Sequence, residues 1–142
     1  EYQRWGIKLP NSSPLFWLLQ EDSESLQKYH LSDMTPVRES LTRLESTLDQ
    51  LIGLRLERAD AAMLQNELEL TIKLMIHACK RALMIFASKE KPAPDTMLYE
   101  IKGLIKNFQA AWLARNRIGG LVDSLDRFDV LLKAYQVTNE ED

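Results

Sequence analysis

Histidine, cysteine and paired carboxylates are the residue types that most readily bind metals or carry out acid, base and nucleophilic chemistry, and this chain has few of them in useful register. Its histidines are His30 and His77, and its one cysteine is Cys79. A carboxylate-bridged metal pair in a helical bundle uses a glutamate three residues before a histidine. Here those positions hold Gln27 and Leu74. Zinc would need several carboxylates to complete its ligand set. On a helix, His77 and Cys79 point roughly 200° apart, so they form no dyad. The chain has no Gly-x-Ser-x-Gly elbow, and Gly119-Gly120 lacks the flanking lysine and hydroxyl residue of a phosphate loop. No catalytic residue, metal ligand or cofactor is therefore assigned. Cys79, on an apolar stripe, reads as a small core residue.

Asp123, Asp126 and Asp129 could in principle attract a cation. A carboxylate in a first helical turn is favoured by the helix dipole, however, and Arg127 and Lys133 stand four residues after Asp123 and Asp129. The trio reads as a solvated face.

The stretch that asks for more is "AWLARNRIGGLVDS", residues 111–124. Trp112 ends an apolar stripe. Arg115 and Arg117 suit a helix C-terminus, where cations offset the dipole and can bond the last carbonyls. Gly119 and Gly120 permit the positive φ of a reversal, with Gly120 in place to cap the next helix and Asp123 in its first turn. Local structure alone does not require both arginines together with Asn116. The candidate interface or ligand residues are thus Trp112, Arg115, Asn116, Arg117, Gly119 and Gly120. Trp5 and Trp17 join them, because bulky aromatics in an irregular arm serve as core pegs or as contacts with another domain.

Four stripes spaced by three and four residues must position these side chains. They run through Val37, Leu41, Leu44, Leu48 and Leu51; through Leu64, Leu68, Ile72, Met75, Cys79, Ala82 and Phe86; through Leu98, Ile101, Ile105, Phe108 and Trp112; and through Leu121, Leu125, Phe128, Leu132 and Tyr135. Thr35, Asp60 and Asp95 are the expected caps. Glu39–Arg43, Glu69–Lys73, Asp123–Arg127 and Asp129–Lys133 are the expected surface pairs. The first two stripes are out of phase by about one residue, or ~100°, which predicts a break near Arg58 to Asp60, with one long bent helix as the alternative. The prolines of "KEKPAPD" interrupt the next connection. No segment alternates with the two-residue period of a strand. The expectation is an all-α fold, an antiparallel four-helix-bundle-like domain. Residues 1–33 form an irregular arm with a short helix at Pro14 to Gln20, residues 34–137 the bundle, and residues 138–142 a frayed tail.

Apolar residues make up 45% of the 142 and charged residues 27%, the composition of a folded globular domain rather than a disordered segment. A net charge of -3 argues against nucleic acid as the main partner. No apolar run approaches the ~18 residues of a membrane span. No signal peptide is visible, which favours a cytoplasmic place over secretion. The start at Glu1 reads as that of a piece of a longer polypeptide.

The run Trp112, Leu113, Arg115, Asn116, Arg117, Gly119, Gly120 and Leu121, with the helical stretch Glu57 to Leu83 before it, resembles the C-terminal helical domain of bacterial exo-acting N-acetyl-β-glucosaminidases of glycoside hydrolase family 20. The likeness covers roughly the last 85 residues. It implies a parent enzyme with a catalytic (β/α)8 barrel whose adjacent Asp-Glu pair works with the substrate's own acetamido group. No Asp-Glu dipeptide occurs in this chain, so the resemblance implies a non-catalytic domain. Its expected partners are the parent's barrel and a second copy in a homodimer, with no nucleic acid or membrane. The alternative is an independent helical module that binds another protein through its aromatic arm.

Overall fold

A computed structural model describes residues 13–29 and 31–137. Among them the chain is all-helical: α1 Pro14–Gln20, α2 Ser23–Gln27, α3 Thr35–Ile52, α4 Ala61–Phe86, α5 Pro94–Arg115, α6 Leu121–Asp126 and α7 Asp129–Val137. Trp5, His30 and the tail lie outside the described residues.

Prolines set three of the helix starts, because a missing N–H costs nothing in a first turn. That moves two expected caps inside their helices. Thr35 is the first residue of α3, and its N–H is taken by the Asp33 carboxylate at 2.9 Å. Asp95 sits in the first turn of α5 behind Ala93 and Pro94. Asp60 does occupy the N-cap of α4, but its carboxylate pairs with the Arg58 guanidinium at 2.9 Å instead of capping amides. Ser13 and Asp22 cap α1 and α2 with their side chains. Of the four expected surface pairs only Glu69–Lys73 closes, at 3.1 Å. Exposed pairs gain too little to hold two long side chains in place.

The chain breaks between Ile52 and Ala61, so α3 and α4 are separate helices. Cross-links show their opposite directions. Arg38 near the start of α3 meets Glu90 beyond the end of α4 at 2.9 Å, while Gln65 near the start of α4 reaches the Leu51 carbonyl at 3.4 Å. The α4–α5 pair reverses likewise: Lys80 meets Glu100 at 2.9 Å, and Arg115 meets Glu67.

Helix α4 is the axis of the fold, packed by α1, α2, α3 and α5. Its central stretch is therefore largely enclosed, as a core helix must be, with Ile76, His77, Ala78, Cys79, Arg81, Ala82 and Leu83 all buried. The main core gathers Leu18, Leu26, Val37, Ala82, Ile101 and Leu131. A satellite cluster of Leu51, Ile72 and Ile76 lies under α3. The α3 stripe packs mainly on α4: Val37 reaches the main core, while Leu41, Leu44 and Leu48 are half-buried.

The fourth expected helix is divided. Phe128 turns into the core 5.4 Å from the Phe108 ring, and tight bonds from Phe128 to Leu125 and from Leu131 to Phe128 close the corner between α6 and α7. Helix α7 then packs on α5 and α1. The expected irregular arm instead supplies α1 at its expected bounds and the further helix α2, with Leu18, Leu19 and Leu26 buried. No described helix is long and apolar enough to cross a membrane.

Candidate functional site

The turn after α5 is organised around Trp112. Its indole N–H donates to the Arg117 carbonyl at 3.1 Å, while the Asn116 backbone N–H and side-chain amide both donate to the Trp112 carbonyl at 2.8 and 3.2 Å. Asn116 thus closes the helix end that the arginines were expected to close. Gly120 caps α6 with φ +81, and a Cβ there would meet only ordinary contact with Trp112 at 3.6 Å. Backbone conformation, not space, selects that glycine. Gly119 has no positive φ and open space around it, so the reversal needs one glycine where two were expected.

Arg115 reaches across to Glu67 of α4 instead of bonding the last carbonyls of α5, because a carboxylate offers a charge-assisted partner. Its neighbours Arg58 and Asp60 extend this surface charge network at the start of α4. The Arg117 side chain has no partner among the described residues. Leu113, Ile118 and Val122 stand out from this turn with 46%, 74% and 65% of their surface exposed. A shallow cleft of about 220 Å³ runs between Trp112, Asn116, Glu67 and Thr71. The structure thus brings Trp112, Arg115, Asn116, Arg117, Gly119 and Gly120 together at one end. Trp17 lies apart from them, half-buried with its ring centre 4.2 Å from that of Tyr29.

A second polar assembly crosses the core. The fully buried His77 places Nε2 3.0 Å from the Tyr135 hydroxyl and Nδ1 3.5 Å from a Glu100 carboxylate oxygen, whose other oxygen accepts from Lys80 at 2.9 Å. Burial pushes Glu100 up, but the nearby His77 imidazole and the hydrogen bond and charge of Lys80 outweigh it and hold the carboxyl below its usual range. Burial raises the Tyr135 phenol. These groups join α4, α5 and α7. Spacing could not reveal them, since His77 finds its partners 23 and 58 residues away and Tyr135 looks like one more member of an apolar stripe.

Arg81 is also fully buried and also escaped the sequence reading. Its Nη1 donates to the Leu18 carbonyl in the last turn of α1, where a cation offsets the helix dipole. Its Nε and Nη2 find no partner among the described residues, and burial lowers its pKa. Cys79 is enclosed, and burial, with the Glu45 charge adding, pushes its thiol up to about 11. Such a thiol is a packing residue rather than a nucleophile. Among the described residues no group of three His, Cys, Asp or Glu side chains could hold a metal ion.

No known family, curated protein or solved structure gives a match to this chain.

Proposed function

We propose that the chain is a non-catalytic helical accessory domain, a derivative of the antiparallel four-helix bundle, that docks on a catalytic domain through the Trp112 to Gly120 turn. The observation that carries this reading is the construction of the turn. Its inner side is held by hydrogen bonds around Trp112, yet Leu113, Ile118 and Val122 face solvent beside an unpaired Arg117. A rigid apolar patch with a cation at its rim is what a docking surface presents, since little ordering entropy remains to be lost on contact. The family 20 resemblance of the same residues supports a β-N-acetylhexosaminidase barrel as the surface covered.

The test is made in the polypeptide that contains this segment together with its upstream sequence. Ile118→Asp and Arg117→Glu should lower the thermal midpoint of that polypeptide and its turnover of 4-nitrophenyl N-acetyl-β-glucosaminide, while leaving the melting of the 142-residue chain alone unchanged. The isolated chain should not hydrolyse that substrate. Turnover by the isolated chain at enzyme-like rates, or no effect of either substitution in the longer polypeptide, would refute the proposal.

A further inference from the structure

Away from that turn, α3 and α5 do not pack along one another, and α4 forms the floor between them. The resulting groove encloses about 360 Å³. Leu48, Ile76 and Leu104 lay an apolar strip among its charged residues, and the half-buried Leu41 and Leu44 continue the α3 stripe. Its α5 wall contains Gly103, which lies in a helix interior with ordinary φ and has no atom within 4 Å of where its Cβ would be. Neither backbone nor packing within the chain requires a glycine there, and glycine weakens a helix. It does leave the wall flat enough for another backbone to approach closely.

The carboxylates on one lip of the groove are left without ion-pair partners among the described residues. Lys73 and Lys80 on its floor are already paired with Glu69 and Glu100. Glu45 on the α3 lip has no ion-pair partner among the described residues, and neither does Asp49, one turn further along the same face.

We infer that this groove is the seat of an amphipathic helix from a partner protein, one that lays an apolar edge between α3 and α5 and turns a lysine- or arginine-bearing flank toward Glu45 and Asp49. Such helix-in-groove recognition draws affinity from the buried edge and specificity from the charged flank.

Two synthetic helices of about 18 residues, long enough to hold a helix, serve as probes. Both carry leucine at i, i+3, i+4 and i+7, one with lysine and the other with glutamate elsewhere. Calorimetric titration of the full chain should show the leucine–lysine helix binding at least tenfold more tightly than its glutamate counterpart. Gly103→Gln should raise the melting temperature yet weaken that binding at least tenfold, and Glu45→Gln should weaken it less. Asn107→Trp, whose bulky ring obstructs the same wall, gives the reading if Gly103→Gln disturbs the fold. Equal binding of the two helices, or binding indifferent to the wall substitutions, would overturn the inference. So would sedimentation showing a homodimer that Gly103→Gln splits, because the occupant would then be a second copy.

Discussion

At the scale of single residues, the costly features are the buried polar groups. Arg81 gives up its hydration for one hydrogen bond to the Leu18 carbonyl. An unpaired buried charge is replaced at little loss by an apolar side chain of similar volume. Arg81→Met should therefore stabilise the chain by roughly 1–2 kcal/mol in urea unfolding; a loss of stability would mean that pinning α1 outweighs desolvation. Glu100 makes the opposite contribution. Its folded pKa lies below the ordinary 4.5, so its stabilisation is complete above that value and is lost as pH falls through the folded pKa. Thermal melts from pH 6 down to pH 3 should steepen in the wild type and be flatter for Glu100→Gln across the acid end. Identical slopes would remove the carboxylate from the account.

At the scale of elements, the turn between α5 and α6 separates two glycines that look alike in sequence. Gly120 holds φ +81, where an L side chain costs roughly 1–2 kcal/mol. Gly119 has no such demand. Gly120→Ala should lower stability by about that amount, and Gly119→Ala should leave the chemical midpoint within experimental scatter. Equal effects would mean that the reversal is shared between them. The elements also show why helix boundaries departed from the expected caps. Proline at a first turn fixes the start regardless of a nearby threonine or aspartate, and Arg58 draws the Asp60 carboxylate away from the amides of α4.

At the scale of the whole molecule, α4 carries the fold while the second half of α3 rides on it over a small separate cluster. Stability is then unequally distributed, since elements with fewer buried neighbours open at lower free energy. Native-state hydrogen exchange should show α3 amides exchanging through a sub-global opening well before those of Ile76 to Leu83. Uniform protection of the two helices would argue for a single cooperative unit. The same asymmetry leaves the groove between α3 and α5 open, so the architecture that lowers the local stability of α3 also creates the surface inferred to take a partner helix.

The helical class, the break before Asp60, the bounds of α1 and the placement of Trp112 at a helix end were legible in sequence, because periodicity, proline and capping chemistry act over a few residues. The burial of Leu70 and the exposure of Leu68 were not, since a helix packed from several sides hides more than one stripe. Nor could local pattern show that Phe128 would divide the last helix to reach Phe108, that Arg115 would choose Glu67 over its own helix end, or that His77 would sit between Glu100 and Tyr135. Sequence by itself determined which segments coil and which faces seek burial. Tertiary structure decided which face meets which, because partners distant along the chain become neighbours only when helices pack.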